Sequence, residues 1–488
     1  MKRSGFSALK SLAVVFSLAV VLVFAGCSDS NLPVNSDRVE SAVKSDDFSS
    51  TTANSGKGNL GINVLLNTAV TDAILVDLGK YGKVRDVLYK VGAVTMLAKA
   101  DQLPEIQALP FVAAANPDQE RLGRPIDLVP VEDFTDGLST WDQDAINVTL
   151  EPGFDTRDVT FTGAGVYVAV LDTGLKDLWR MYFPEERIAV EYAKSFGGGG
   201  NDMGNVSEQP NKWEHDNDSH GTHVTSTIIG YNFRGTPVNG TAPEAMIIPV
   251  KVLGQSGWGW SSVIARGIEY IGDLKAGPLA DYPVVINMSL GGPVLDAVEQ
   301  AAIDYAIAQG VVICASAGNN GLNGMGYPGA YEPVISAAAS GWVYEWQPFP
   351  NGSWWWNLDV ADPIDPADFY ITDFSSRELS GQDLDITAPG SWVVGPYQLQ
   401  SGKTSYYFLG GTSMASPHVA GVAALMLEKN PTLTAGDIES ILEATAVPLA
   451  PGTRSVIGPS GVYEDFSWGA DATGAGLLDA AAALSATP

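Results

Sequence analysis

Cysteine and histidine are scarce in this sequence. The 488 residues include 2 cysteines and 4 histidines. The cysteines, Cys27 and Cys314, lie far apart in unlike surroundings, which excludes a disulfide framework and a cysteine-based zinc motif. Cys314 falls inside the apolar run of residues 311–315, where we expect a buried free thiol.

Positively charged residues are also scarce. Lysine and arginine together number 27 against 56 aspartates and glutamates, which gives a formal net charge of -29. A surface of this sign repels phosphate backbones, so we expect no nucleic-acid partner. The length, with a hydrophobic content of 45%, is sufficient for two or more folded units with a sizeable core.

The first 27 residues have the pattern of an export signal. Lys2, Arg3 and Lys10 precede an apolar run at residues 12–24, which is short for a transmembrane span. The run ends in Val-Phe-Ala-Gly-Cys-Ser, which resembles the lipobox of bacterial lipoproteins with Cys27 as the lipidated residue, although phenylalanine departs from the usual aliphatic residue. Ordinary signal cleavage nearby is the alternative. Both interpretations predict an extracytoplasmic protein, and the first adds membrane anchoring through lipid on Cys27.

Three segments follow the signal. Residues 28–57 are rich in Ser, Asn, Asp and Thr and predict a disordered tether. In residues 58–118 the apolar pattern predicts, in order, strands near 62–66 and 73–78, a helix near 84–91, a strand at 93–97, a helix at 103–109 and a strand at 111–115. This order predicts a compact α+β module of ferredoxin-like type. The Pro/Asp-rich residues 119–138 predict an exposed linker that can be cut.

Residues 139–488 alternate between strand-like and helical apolar runs. The predicted series is a strand at 166–171, a helix after His220, a strand at 246–253, a helix at 262–273, a strand at 284–288, a helix at 295–309, a strand at 311–315 and a helix after Ser413. Such alternation predicts an α/β three-layer sandwich, in which helices cover both faces of a mostly parallel central sheet. Active sites in such sheets collect at the carboxyl ends of the strands.

An aromatic and acidic insertion interrupts this series at about residues 341–371. It carries Trp346, three tryptophans at 354–356 and aspartates at 359, 362, 365 and 368. The aromatic side chains could form an interaction patch or pack on one another within the loop. The aspartates could bind calcium through oxygen ligands or could be solvated.

Four polar side chains fall where such a sheet would bring them together. Asp172 ends a predicted strand, His220 opens a helix, Asn319 follows a buried strand, and Ser413 stands at a helix start with Pro417 expected in the first turn. A serine hydroxyl becomes a nucleophile when an imidazole takes its proton and a carboxylate orients the imidazole. An amide and a helix N-terminus can stabilise the resulting oxyanion. Individually, a loop that caps a core helix and a polar turn are competing interpretations.

Four blocks of sequence resemble the subtilisin-like serine peptidases. They are Val-Leu-Asp-Thr-Gly at 170–174, His-Gly-Thr-His-Val at 220–224, Ala-Gly-Asn at 317–319, and Gly-Thr-Ser-Met-Ala-Ser-Pro-His at 411–418. The order Asp, His, Ser is also that of subtilisin. The resemblance implies that Asp172 orients the base, that His220 is general base and then acid, that Ser413 attacks the carbonyl, and that Asn319 holds the oxyanion.

The resemblance covers about residues 141–483 and extends to the substrate cleft. The cleft residues that it implies are Gly257, Trp258, Gly259, Ser289, Leu290, Gly291 and Gly326. A glycine at the floor of the primary pocket implies large apolar side chains before the scissile bond. Residues 58–118 resemble the family's inhibitory propeptide, which occupies the cleft and is then cleaved off, here within residues 119–138.

Protein or peptide substrates and a monomeric state are expected, and the chemistry requires no cofactor. A structural calcium ion is compatible with the resemblance, but Met181 and the loop 231–239 match a calcium site poorly, so its position is not predicted. A catalytically silent surface lipoprotein that uses the fold for binding is the alternative from another class. A sedolisin-type acid peptidase would carry Glu at position 220 and Asp at position 319, unlike this chain.

Overall fold

The computed structural model describes residues 58–130, 140–150, 157–347, 360–398 and 404–488. The predicted signal peptide, Cys27 and the tether lie outside these residues, as do positions 131–138 of the linker and 348–359 of the insertion. Within the described ranges, no helix combines the length and the apolar character that a membrane crossing requires.

The N-terminal module, residues 58–118, is an antiparallel sheet with two short helices. Its elements in chain order are β1 (Asn59–Leu66), α1 (Asp72–Leu78), β2 (Gly82–Leu88), β3 (Ala93–Lys99), α2 (Leu103–Gln107) and β4 (Val112–Pro117). The strand order is β2-β3-β1-β4. This βαββαβ sequence of elements has the ferredoxin-like arrangement that the sequence predicts.

Two elements of the module differ from the prediction. The predicted strand at 73–78 is helix α1, because Thr71 caps it and Ile74 and Leu78, four residues apart, face the core. The predicted helix at 84–91 is strand β2, which pairs with β3 along its length. Its apolar residues fit either a helical or a strand period, so pairing with the edge of β3 decided the structure.

The rest of the chain forms an α/β domain, preceded by two strands from the linker. The linker strands are β5 (Glu120–Leu122) and β6 (Asp127–Pro130). The helices are α3 (Trp141–Asp144), α4 (His220–Ile229), α5 (Ser261–Ala276), α6 (Ala297–Ala308), α7 (Thr412–Lys429), α8 (Ala435–Thr445) and α9 (Ala480–Ala486). The strands are β7 (Tyr167–Asp172), β8 (Lys194–Phe196), β9 (Glu208–Gln209), β10 (Tyr231–Phe233), β11 (Thr236–Val238), β12 (Met246–Lys251), β13 (Trp258–Trp260), β14 (Val284–Met288), β15 (Val311–Ser316), β16 (Ile335–Trp342), β17 (Phe369–Ile371), β18 (Ile386–Pro389), β19 (Val393–Pro396), β20 (Tyr406–Gly410), β21 (Gly452–Ile457) and β22 (Tyr463–Trp468).

The central sheet is mostly parallel, as predicted. Its strand order is β17-β16-β15-β14-β7-β12-β8-β9, and β18 also pairs with β16. The edge pairs β16–β17 and β8–β9 are antiparallel, and the pairs between them are parallel. Strand β7 lies between β12 and β14, so the strand order reverses there. Asp172, the last residue of β7, therefore stands at the switch point where such sheets form their sites.

Alternate residues of strand β7 enter two different cores. Val168 and Val170 pack in the core that contains α4 and α7, whereas Ala169 and Leu171 pack in the core that contains α5 and α6. Helices therefore cover both faces of the sheet, which confirms the predicted three-layer sandwich. Cys314 of β15 is a buried free thiol, and burial raises the pKa of this thiol.

The N-terminal module packs its sheet on helices α5 and α6. Asp118 accepts hydrogen bonds from Ser262 N at 3.0 Å and Ser262 Oγ at 2.7 Å, so a module carboxylate caps α5. Asn63 donates to Asp296, the N-cap of α6, at 2.8 Å. Leu88 joins the apolar cluster of these helices. The module thus covers the two helix starts beside the cleft.

The described part of the insertion packs on its own domain. The Trp346 ring lies 5.2 Å from Trp392 and 4.9 Å from Phe408, measured between centroids. Asp365 accepts a hydrogen bond from Ala367 N at 2.9 Å and caps a short 3₁₀ turn. In the part of the chain that the structure describes, Trp346 therefore packs on residues outside the insertion, and not on other aromatic side chains of the loop.

Candidate active site

Asp172 and His220 form a buried pair at the end of strand β7. His220 Nδ1 lies 2.9 Å from both carboxylate oxygens of Asp172. Thr173 links the two elements, since its N–H donates to Asp172 Oδ1 at 2.6 Å and its Oγ1 accepts from Gly221 N at 2.9 Å. The carboxylate favours the imidazole tautomer that carries its proton on Nδ1, which leaves Nε2 to accept a proton.

The backbone next to Asp172 and His220 is tightly constrained at two positions, Ser219 and Gly174. Ser219, directly before His220, has a positive φ of 79°. Asp216 holds it by accepting a hydrogen bond from Ser219 N at 3.0 Å. Gly174 has φ +87°, and a Cβ there would stand 2.2 Å from Trp213 O, so this position requires glycine. Backbone strain beside a reactive group is typical of functional sites.

The charge of His220 is controlled by the carboxylates around it. Burial opposes its protonation, but Asp172, Asp218 and Asp216 outweigh burial and raise the pKa of His220 above its ordinary value. Burial also raises the pKa of Asp216, to about 6. His220 Nε2 is buried and has no hydrogen-bond partner among the described residues. A base with a raised pKa and an uncommitted nitrogen is suited to proton transfer.

Ser413 stands at the start of helix α7. Its Oγ donates to Ser289 O at 3.2 Å rather than to His220. Pro417 lies inside the helix and not in its first turn, so that prediction is wrong. Because proline has no N–H to donate, the carbonyl of Ser413 instead accepts a hydrogen bond from Ser289 Oγ at 2.7 Å. This contact ties the helix start to the end of strand β14.

Asn319 faces the same helix start. Its Oδ1 accepts from Thr412 N and from Thr412 Oγ1, both at 2.9 Å, and Thr412 Oγ1 also accepts from Gly318 N at 3.1 Å. These two donors assign the amide orientation, since only the oxygen can accept them. The Nδ2 group then lies beside Gly411, where an added Cβ would stand 3.6 Å away. The amide hydrogens are therefore directed toward the serine loop.

A buried polar network below Ser413 was missed by sequence reasoning. Asn287 Oδ1 accepts from Ser416 Oγ at 2.7 Å, and Asn287 Nδ2 donates to Ser289 Oγ at 3.1 Å. The signal was an asparagine within the buried strand Val-Val-Ile-Asn-Met, at 284–288. A polar residue buried in such a strand requires partners. His223 is also a buried core residue: burial lowers its pKa to about 3, and its Nε2 lies 3.2 Å from Val393 O.

Linker strand β5 lies between the two predicted walls of the cleft. It pairs antiparallel with β13, with Leu122 opposite Trp258 and Arg121 opposite Gly259. On its other side, Leu122 exchanges two hydrogen bonds with Gly291, at 2.9 and 3.0 Å. The chain's own linker is thus held as a strand is held in β-augmentation.

The linker then passes the candidate catalytic groups. Gly123 N donates to Gly257 O at 2.8 Å, and a Cβ on Gly123 would stand 3.5 Å from His220 Cε1. Ile126 N donates to Gly410 O at 2.6 Å, beside the serine loop. Arg124, between them, directs its guanidinium to Ser256 O. The linker therefore passes the candidate catalytic groups with the residues between Gly123 and Ile126.

Of the remaining predicted cleft residues, Ser289 and Gly326 lie at the cleft, whereas the Leu290 side chain is buried in the core. Ser289 contacts Ser413, as described. Gly326 lies next to Gly291 and Gly292, with Cα of Gly291 3.8 Å from an added Cβ. The Leu290 side chain is buried in the core with α5 and α6, so it is a structural residue rather than a cleft surface.

Three carboxylates elsewhere lie close enough to share a cation. Asp383, Asp385 and Glu439 form this group. Asp385 Oδ2 accepts from Ser336 N at 2.6 Å, while Oδ1 has no partner among the described residues. Burial raises the pKa of Asp385 to about 7. Oxygen donors of this kind suit calcium, and the group lies outside the segments that sequence reasoning considered for a calcium ion.

Comparison with known proteins agrees with this geometry. The sequence model of the Subtilase family matches residues 163–469. Subtilisin DY of Bacillus licheniformis is 34% identical over 293 residues, which are 59% of this chain and 86% of that protein. Subtilisin E of Bacillus subtilis is 35% identical over 293 residues, 59% of this chain and 62% of that protein.

Solved structures share the fold. Fervidolysin from Fervidobacterium pennivorans, described as a keratinolytic enzyme related to subtilisin, superposes with a TM-score of 0.60 at 24% identity and covers 89% of this chain and 62% of its own. The S41 psychrophilic protease superposes with a TM-score of 0.51 at 30% identity, over 70% of this chain and 98% of its own. The chain belongs to the subtilase family. It is accordingly a serine endopeptidase of the hydrolase class.

Proposed function

We propose that the enzyme cleaves peptide bonds through Asp172, His220 and Ser413. Ser413 Oγ turns from Ser289 O toward His220 Nε2, gives up its proton and bonds to the scissile carbonyl carbon. The C–N bond breaks as His220 returns that proton to the leaving amine. Water then attacks the acyl carbon while His220 takes its proton. The bond to Ser413 Oγ breaks as His220 returns that proton to the serine oxygen, which releases the acid product. The buried pair at 2.9 Å supports these roles.

The oxyanion of each tetrahedral intermediate would be stabilised by Asn319 Nδ2 and the N–H of Ser413. Support comes from the amide of Asn319, which Thr412 holds by its oxygen so that the nitrogen faces the serine loop. A fixed donor of this type acts where negative charge develops and needs no reorganisation during the reaction.

The N-terminal module would act as an intramolecular inhibitor of a self-processed precursor. The observation that carries this proposal is strand β5, held between β13 and Gly291 while Gly123 lies beside His220. A substrate would need the same edges, so the linker and a substrate exclude each other. Processing within residues 119–138 would sever the linker and allow the module to leave.

The proposed enzyme works outside the cytoplasm, with residues 1–27 as the export signal. If Cys27 carries lipid, a cut within residues 119–138 leaves the lipid on the module, so processing also releases the peptidase from the membrane. We propose broad specificity with a large apolar residue before the scissile bond. Its support is Gly291 and Gly326, which put no side chain into the primary pocket.

Intact mass over time tests the proposal with two purified precursors that lack the signal peptide. The parent should lose the mass of the residues up to 119–138, whereas Ser413→Ala should remain whole. A fluorophosphonate should label Ser413 of the processed parent. If both proteins stay whole and Ser413 stays unlabelled after the module is removed, the catalytically silent binding protein replaces this proposal.

A further inference from the structure

Arg121 of the linker is fully buried, which is unusual for an arginine. Its guanidinium forms an ion pair with Glu299 of helix α6, with Nε 3.3 Å from Oε1 and 3.2 Å from Oε2. Its remaining donors reach Val294 O at 3.1 Å and Glu120 O at 3.0 Å. The planar guanidinium is thus satisfied on several sides, which a lysine ammonium could not reproduce in this geometry.

The contacts of Arg121 outside the linker are with Glu299, Val294 and Gly292, all of the peptidase domain. Glu299 is also fully buried, and Asp296 stands one turn earlier at the start of the same helix. Gly292 closes one side, since an added Cβ would stand 2.6 Å from Arg121 Nη1. Glu299 loses this ion-pair partner when the linker leaves, and a substrate arginine in the same pocket would cover and pair the carboxylate again.

The position of Arg121 defines which substrate residue would enter this pocket. Leu122 pairs with Gly291, and Gly123 lies against His220. Ile126 has already passed the serine loop. The carbonyl next to Ser413 is therefore that of Arg124. Arg121 is the fourth residue before the peptide bond that follows Arg124.

We propose that Glu299 makes this subsite selective for arginine at the fourth position before the scissile bond. The inference rests on the proposed function, because it treats the linker as a stand-in for substrate. It adds a preference for positive charge at the fourth position to the apolar preference at the first position. Glu299 would be a specificity-determining residue with no part in the bond-breaking steps.

The test uses the processed enzyme and four fluorogenic peptides, Xaa-Ala-Ala-Phe, that release a dye from the bond after Phe. Xaa is Arg, Lys, Leu or Glu. We expect kcat/KM for Arg to exceed that for Leu by about tenfold or more, because Arg restores a buried, hydrogen-bonded ion pair. Lys should fall between them and Glu should be poorest. Moving Arg to the second or third position should remove the gain.

Two variants assign the effect to Glu299. Glu299→Leu should abolish the advantage of Arg over Leu, and labelling of Ser413 by the fluorophosphonate shows that the variant is folded and active. Glu299→Gln, with the same shape and no charge, gives the same reading if the leucine variant does not fold. Asp304→Asn, which removes an exposed charge from the same helix, should leave the preference unchanged.

Equal rates for Arg and Leu in the parent, an Arg preference at another position, or a preference that survives Glu299→Leu would each overturn the inference. Failure of the proposed function has a different signature, since no peptide would then be cleaved and Ser413 would not be labelled. The inference would fall with it in that case.

Discussion

The buried contact between Asp172 and His220 controls the charge at the candidate active site. The pKa of His220 is raised because the carboxylates around it outweigh the effect of burial. A base is active only in its neutral form, so the rate should decline on the acidic side as His220 becomes protonated. The acid limb should therefore lie above the ordinary pKa of histidine.

Asp172→Asn tests this assignment of charge. The change removes the largest attractive interaction with the imidazolium, so the pKa of His220 should fall and the acid limb of kcat/KM should move to lower pH. The maximal rate should fall by about 10⁴-fold, because the amide no longer fixes the reactive tautomer. The measurement is the pH profile of kcat/KM for the processed enzyme with a peptide substrate.

Asp177→Asn is the matched control, since Asp177 is exposed and lies five residues further along. Its rate and pH profile should equal those of the parent. An Asp172→Asn enzyme with an unshifted acid limb would show that another group titrates in this range.

At the scale of elements, the insertion is tied to the domain through a buried carboxyl. Glu345 accepts hydrogen bonds from Trp342 N and from Tyr370 Oη, both at 3.0 Å, so it joins the end of β16 to β17. Burial raises the pKa of Glu345 from 4.5 to about 8. The acid is therefore protonated in the folded protein near neutral pH.

This shift predicts a loss of stability as the pH rises from about 4.5 to about 8. Between about pH 4.5 and about pH 8 the folded protein holds a proton that the unfolded chain has lost, so the free energy of unfolding falls as pH rises. Glu345→Gln keeps the shape without the ionisable proton. In a Ser413→Ala precursor it should raise the melting temperature at pH 8.5 by about 2–4 °C or more and change it little at pH 5.

The exposed Glu332 supplies the comparison, because Glu332→Gln removes a carboxylate without altering a buried contact. Melting curves of the three proteins at the two pH values are sufficient. A parallel pH response in parent and Glu345→Gln would assign the titration to other buried carboxyls.

At the scale of the whole molecule, the N-terminal module and the linker make different kinds of contact with the peptidase domain. Asp118 and Asn63 cover the starts of α5 and α6, and the linker runs through the cleft. The first contact caps the two helix starts, and the second occupies the strand edges that we propose for substrate. Weakening the cleft contact alone should therefore change inhibition more than folding.

Gly123→Ala should weaken the contact of the linker with the cleft without altering the contacts of the module. An added Cβ would stand 2.6 Å from Leu253 Cδ1 and 3.0 Å from Ser289 O, so the linker must shift away from the wall of the cleft. We expect peptide hydrolysis to appear sooner after the precursor is mixed with substrate, because the severed module dissociates faster. The readout is the time course of dye release together with the intact mass.

Gly58→Ala is a fair control, since a Cβ at Gly58 meets nothing within 4 Å. It should reproduce the parent time course. Equal lag times for all three proteins would mean that cutting of the linker, and not occupation of the cleft, limits the appearance of activity.

Sequence reasoning succeeded where a local pattern carries the chemistry. Asp172 ends a strand, His220 and Ser413 stand at helix starts, and Asn319 follows a strand by three residues; parallel strands bring such positions to one edge. It failed at residues 73–78 and 84–91, where short apolar runs fit two periods. The Thr71 cap and the burial of Ile74 and Leu78 decided for a helix in the first, and pairing with β3 decided for a strand in the second. It also passed over Asn287 and Glu299, because a polar residue in an apolar run does not reveal its partner.

The amino-acid sequence by itself determined the fold class, the family and the four side chains proposed for the chemistry, because these depend on periodicity and on short contiguous motifs. Only the tertiary structure decided that the linker crosses the cleft as strand β5 and that Arg121 meets Glu299, which is 178 positions away. Contacts across such distances depend on how strands and helices pack, and burial then gives each charge its energy. No local pattern contains that information.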